Sequence, residues 1–135
     1  MENILNEIRK RGGRITKTRK AIIKALLEAK CMLSPSEIAS KIKPRPDRST
    51  IYRELLFLYK NNIVIKSSCL NKSCFEIAKD HHHHLVCLKC SSFTKIPASG
   101  EITRKEEKIA KRNNFKIINH SLDFYGICRK CQKTI

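Results

Sequence analysis

A chain of 135 residues with 29 lysines and arginines against 12 aspartates and glutamates carries a formal charge of +17. An excess that large in so small a protein calls for a polyanionic partner, and nucleic acid is the usual one. No window approaches the run of about 18 apolar residues that spans a bilayer, and the amino terminus lacks the pattern of a secretion signal. A cytoplasmic protein without a membrane partner is therefore expected, and in a reducing compartment its seven cysteines favour metal ligation over disulfides. Residues 1–79 hold 18 basic and 7 acidic side chains, a net of +11, and residues 80–135 supply the remaining +6.

Ile4, Leu5 and Ile8 predict a short first helix that stops at Gly12 and Gly13. Thr16 is an N-cap candidate for a second helix, in which Ile22, Ala25, Leu26 and Ala29 repeat with helical period. Ser34-Pro35-Ser36-Glu37 has capping-box spacing with proline at the first helical position. It opens a third helix that turns Ile38 and Ile42 inward and ends before Pro44 and Pro46. A fourth helix runs from Asp47 or Ser49 to Lys60 with Ile51, Leu55 and Leu58 on its inner stripe, and Asn61 and Asn62 tolerate a left-handed stop. Ile63–Ile65 and Cys74–Ile77 then read as antiparallel strands around a turn. Helices closed by such a hairpin make a winged helix, whose third and fourth helices have helix-turn-helix spacing. Arg48, Ser49, Thr50, Tyr52 and Arg53 lie on the polar face of the fourth helix, where base edges and phosphates are reached. Arg14, Lys17, Arg19 and Lys20 form a second basic cluster suited to phosphate contacts. A solvated helix face is the competing account of all these charges.

The character changes at Asp80. Asp80 to Cys90 reads Asp-His-His-His-His-Leu-Val-Cys-Leu-Lys-Cys, and a second Cys-x-x-Cys pair, Cys128 and Cys131, lies near the end of the chain. Cys87, Cys90, Cys128 and Cys131 supply the four thiolates of a closed tetrahedral site, the arrangement of structural zinc. A histidine tag is disfavoured because the run is internal and continues into an apolar segment. In an extended segment successive side chains face opposite sides, so His81 and His83 share one face and His82 and His84 the other. One strand can thereby feed two metal sites; a polar, solvated strand is the plainer alternative. Short strands are expected at His84–Cys87 and Phe93–Ile96, a polar helix at Glu101–Asn113 with Ile102 and Ile109 inward, and a strand-rich run from Phe115 to Tyr125. A three-stranded sheet with one helix is too small to be comfortable alone, so a homodimer is expected. Cys31, Cys69 and Cys74 are left as small buried residues by default.

Several motifs together resemble the ferric uptake regulator family of metal-responsive transcription factors along nearly the whole chain. They are Arg14-Ile15-Thr16-x-x-Arg19, Ser49-Thr50-Ile51-Tyr52-Arg53, Phe75-Glu76, the Asp80–Cys90 stretch, Asn119-His120-Ser121-Leu122 and Tyr125-Gly126-x-Cys128-x-x-Cys131. The resemblance implies an α+β chain: a winged-helix DNA-binding domain over residues 1–79 and an α/β dimerisation domain with a four-cysteine zinc site over residues 80–135. It further implies a regulatory hinge site matched by Glu76, His82 and His84, and a further site matched by His81, His83 and His120. A palindromic DNA operator bound by a metal-loaded homodimer follows as the expected partner, with repression of metal-homeostasis genes as the outcome. The regulatory ion expected is Fe2+, Zn2+ or Mn2+. The chain departs from the family pattern in three places, one of them His83, which stands where some members have aspartate. Met32 stands where many members have a histidine ligand, and the preceding Cys31 is a candidate thiolate that shifts the site toward zinc. Thr103 occupies the position of an acidic ligand on the long helix, with Glu101 and Glu106 nearby.

Zinc-uptake and peroxide-stress sensors of the same family are the nearest alternatives. From other classes, a thiol redox protein using Cys87 and Cys90 requires a reactive low-pKa thiol, and a constitutive zinc-ribbon nucleic-acid binder requires no further ligands. An enzyme is not expected, since no nucleophile and base pair up outside the metal-binding residues.

Overall fold

The computed structural model describes residues 1–69, 71–78, 82–97, 100–117, 120 and 122–134, and the chain divides into two compact units, Met1–Lys79 and Asp80–Ile135. The first unit runs α1 (Glu2–Lys10), α2 (Lys17–Glu28), α3 (Pro35–Ser40) and α4 (Arg48–Lys60), followed by β1 (Val64–Cys69) and β2 (Lys72–Ile77) as an antiparallel hairpin. This is the order of elements expected of a winged helix.

Local chemistry starts each helix where the sequence marks it. Thr16 accepts a hydrogen bond from the Arg19 amide at 3.1 Å. Ser34 accepts one from the Glu37 amide at 3.2 Å and donates its hydroxyl to the Glu37 carboxylate at 3.0 Å. Asp47 accepts from the Thr50 amide at 2.8 Å, and hydrogen bonds from the Thr50 side chain and backbone hold its carboxyl below the usual range. Each cap satisfies an amide that the first turn leaves without an intrahelical acceptor. Asn62, at φ 58°, ends α4 in the left-handed region, and Asn71, at φ 63°, does the same in the hairpin turn. Gly13 marks a close approach: a Cβ there would lie 2.6 Å from a side-chain carbon of Ile8 and 2.9 Å from the Phe57 ring.

The capped helices bury one continuous core. Leu5, Ile8, Ile22, Leu26, Ile38, Ile51, Leu55 and Leu58 meet Val64, Phe75 and Ile77 of the hairpin. The two strands are longer than the sequence suggested. β2 gains a partner on its other side, because Leu33 and Phe75 exchange backbone hydrogen bonds at 2.9 and 2.8 Å. Ile42 lies beyond the end of α3 yet still packs on the core half-buried.

The second unit contains β3 (His82–Cys87), β4 (Phe93–Pro97), α5 (Gly100–Arg112), β5 (Asp123–Gly126) and the short α6 (Arg129–Gln132). Its sheet has the order β4-β3-β5, with β4 antiparallel and β5 parallel to β3. A parallel neighbour needs a crossover connection, and α5 lies within it. Two expectations are corrected here. Ile109 is 55% exposed rather than inward, and α5 buries none of its residues. Of the run from Phe115 to Tyr125, only Asp123 onward is strand among the described residues, and Phe115 is 67% exposed. Among the described residues, this unit offers no buried apolar layer opposite these side chains. Among the described residues, no helix is long and apolar enough to cross a membrane.

Candidate functional site

The two Cys-x-x-Cys pairs are brought together by β3 and β5. Cys87 ends β3 and Cys90 comes next in the turn, where Ser91, at φ 60°, folds the chain back toward β4. Cys128 precedes α6 and Cys131 lies on it, so a three-residue spacing sets both on one side of the turn. The Leu88 amide bonds to the Gly126 carbonyl at 2.8 Å and ties the two knuckles to each other. The four sulfurs lie within 4.8 Å of one another, and Cys90 Sγ and Cys128 Sγ are 3.8 Å apart. Zinc–sulfur bonds of about 2.3 Å in a tetrahedron place sulfurs about 3.8 Å apart. The Cys90–Cys128 spacing matches that value, and the set of four thiols has the chemistry and proximity that a closed tetrahedral ion needs.

Electrostatics point the same way. The Cys128 amide donates to Cys87 Sγ at 3.3 Å, and that bond is the first cause drawing the Cys87 thiol down to about 6 from 9.0. Cys131 is pushed up to about 12, first by its hydrogen bonding with Cys128. Sulfurs this close do not all ionise by themselves; a divalent cation supplies the charge that lets them.

The histidine run divides as strand parity requires. His82 and His84 share a face of β3, with ring centroids 4.9 Å apart at 78° and ligand atoms within 4.8 Å of each other. His83 turns to the opposite face, where its ring centroid is 5.7 Å from that of His120. His81 lies outside the described residues. Glu76 is a buried residue of β2 in the first unit, and Cys31 lies half-buried in the segment before α3.

Two acids that sequence reasoning did not assign join these histidines. Glu106 Oε2 is 2.5 Å from His120 Nδ1. It sits one helical turn beyond Thr103, so three-residue spacing on α5 was the signal that could have selected it over Glu101. Asp123 Oδ1 is 3.3 Å from Nδ1 of His84. Nothing in the sequence flags this contact, because it depends on the parallel register that sets His84 beside Asp123.

In the first unit Arg48, Ser49, Tyr52 and Arg53 are exposed on α4 and Thr50 is half-exposed. The Arg48 guanidinium lies 5.5 Å from the Tyr52 ring centroid. Arg48 and Tyr52 line a groove of about 640 Å³ between α3, the start of α4 and the hairpin turn, to which Arg45 and Lys72 add positive charge. Arg14 is exposed before α2. Arg19 is engaged otherwise: its guanidinium pairs with Glu54 at 2.6 Å, stacks 3.7 Å from the Phe57 centroid, and donates to the Arg14 carbonyl at 2.6 Å. Its side chain is only 11% exposed, so it braces the loop that carries Arg14.

Comparison with known proteins agrees with this geometry. Residues 10–125 match the family model described as the ferric uptake regulator family. The ferric uptake regulation protein of Helicobacter pylori is 30% identical over 139 aligned positions, which cover 99% of this chain and 92% of that protein. The solved structure of the Helicobacter pylori regulator, described as having three functional metal-binding sites, superposes with a TM-score of 0.77 at 31% identity, covering 97% of this chain and 93% of that one. The Francisella tularensis regulator, solved with iron, gives a TM-score of 0.71 at 26% identity, covering 90% and 96%. With a matching family model, a full-length relative and a four-cysteine cluster fit for a metal ion, the chain belongs to the ferric uptake regulator family of metal-responsive transcription regulators.

Proposed function

We propose that the protein is a metal-dependent repressor of metal-homeostasis genes, acting in the cytoplasm as a homodimer on a palindromic DNA operator. Cys87, Cys90, Cys128 and Cys131 hold structural Zn2+. Glu76, His82 and His84 are the donors of a regulatory site for Fe2+, Zn2+ or Mn2+, with Cys31 as an added thiolate donor. His81, His83 and His120 serve a further site. The observation that carries this reading is the division of the histidine run, with His82 and His84 adjacent on one face of β3 and His83 beside His120 on the other. A merely solvated strand has no cause to sort its imidazoles against partners in this way.

Bound at the regulatory site, a divalent ion supplies the charge that Glu76, His82 and His84 share. Because Glu76 belongs to the first unit and the histidines to the second, occupancy and operator affinity are linked, and each favours the other by one coupling free energy. On the DNA side, Arg53 and Tyr52 read base edges from α4, while Ser49, Thr50 and Arg14 hold phosphates, with Arg19 behind Arg14. On the dimer side, Leu85 and Phe124 are paired neighbours on β3 and β5, 45% and 49% exposed. Among the described residues β5 lies at the edge of the sheet, and a second copy covers both that side and the apolar pair. A Cys31 thiolate favours zinc over iron as the sensed metal.

The test is binding to a duplex selected in vitro, at fixed salt and without oxygen, titrated separately with Fe(II), Mn(II) and Zn(II). At least one metal should tighten binding in the wild type and fail to do so in His82→Ala, which keeps only weak, salt-sensitive association. An unchanged metal response in His82→Ala would reject the assignment.

A further inference from the structure

We propose that Asp123 is the positioning residue of the regulatory metal site, its carboxylate accepting the Nδ1 proton of His84 and so presenting Nε2 as the ring's ligating nitrogen. The inference rests on the reading of His84 as a regulatory ligand and adds to it a residue that neither the family pattern nor the sequence assigns. The parallel pairing of β3 and β5 sets Asp123 directly beside His84, and Oδ1 lies 3.3 Å from Nδ1. The two side chains are 12% and 3% exposed, so water competes little for either. Phe93 closes on the His84 ring edge-on at 6.0 Å and His82 at 4.9 Å, which fixes the plane in which the ring stands.

In water a neutral imidazole divides its proton between two nitrogens. A buried carboxylate at Nδ1 keeps the proton there and leaves the lone pair on Nε2 before any ion arrives. It also raises the basicity of that nitrogen and pre-sets its direction, which is how acids behind metal-bound histidines act.

The test uses full-length protein with the four-cysteine site zinc-loaded, in a His120→Ala background, titrated with Zn(II) alone against a competing chelator and without DNA. Asp123→Ala should weaken binding about tenfold to a hundredfold. Asp123→Asn keeps an acceptor for the Nδ1 proton and should lose less. In the metal-free protein, imidazole nitrogen NMR should show His84 protonated at Nδ1 in the wild type and shifted toward the Nε2-protonated form in Asp123→Ala. Retained structural zinc and an unchanged melting point show that the variants are folded; should Asp123→Ala fail this, the Asp123→Asn comparison carries the test. Unchanged affinity and tautomer in these variants, with His82→Ala still losing binding, would overturn the role of Asp123 while leaving the site standing. Equal losses in the Ala and Asn variants would overturn it in favour of direct ligation. Unchanged binding in His82→Ala as well would remove the regulatory site itself, and this inference with it.

Discussion

The two units solve the problem of being small in opposite ways. Residues 1–79 bury a core of branched apolar side chains, with Ile22, Ile38, Ile51, Leu55 and Leu58 at 1% exposure or less. The buried side chains of the second unit, among the described residues, are His83, His84, Val86 and Cys87. Ile109, Phe115 and Phe124 meanwhile stand about half or more exposed. A unit of this size that buries so little apolar surface does not hold itself together by the hydrophobic effect alone. The contrast teaches that the first unit carries its own apolar core, which the second, among the described residues, does not. On the proposed reading, thiolate ligation and a second copy supply the stability that the second unit's own apolar contacts do not.

The largest expected effect breaks the second unit alone. Cys128→Ser removes one of four donors, and since structural zinc is worth roughly 10–16 kcal/mol in small zinc modules, the unit should release zinc and unfold. Amide spectra of the first unit should stay native; a variant that retains full zinc and melts normally would contradict the clasp. The converse is Leu55→Ala, which should cost the first unit about 2–5 kcal/mol and leave zinc content untouched. Common melting of both units in either variant would show that the division of labour is wrong. Next, Phe124→Arg places a charge on the face assigned to the second copy. Losing about 1.5–3 kcal/mol of burial from each copy, the dimer should dissociate at micromolar concentration in sedimentation, without loss of zinc. Smallest is Arg53→Ala, which should relax sequence choice by about 1–3 kcal/mol at one base position and leave both stabilities unchanged. A selected-duplex preference identical to wild type would exclude Arg53 from base reading.

Much of the first unit was legible in the sequence because its signals are local. Thr16, Ser34 and Asp47 each cap a helix through an amide only three residues along the chain, and Ile51, Leu55 and Leu58 repeat with the helix. The four-cysteine site was legible because thiolates paired at this spacing have few other uses. Parity alone separated His82 and His84 from His83, since alternation along a strand needs no knowledge of the partner strands. What stayed hidden depends on elements distant in the chain. Asp123 meets His84 through a parallel register that no local pattern encodes, and Glu106 reaches His120 through the placement of α5. Arg19 looked like a phosphate contact because the Glu54 and Phe57 that occupy it lie on another helix. Ile109 misled for a related reason: periodicity marks an apolar face but not whether its cover comes from the same chain.

The most direct test of the account compares binding to a selected palindromic duplex at one salt concentration before and after all exchangeable metal is removed, with zinc at the four cysteines confirmed to remain. The account predicts that stripping weakens binding to the level of an unrelated duplex and that adding back a divalent ion restores it. Equal affinity in both states would contradict it.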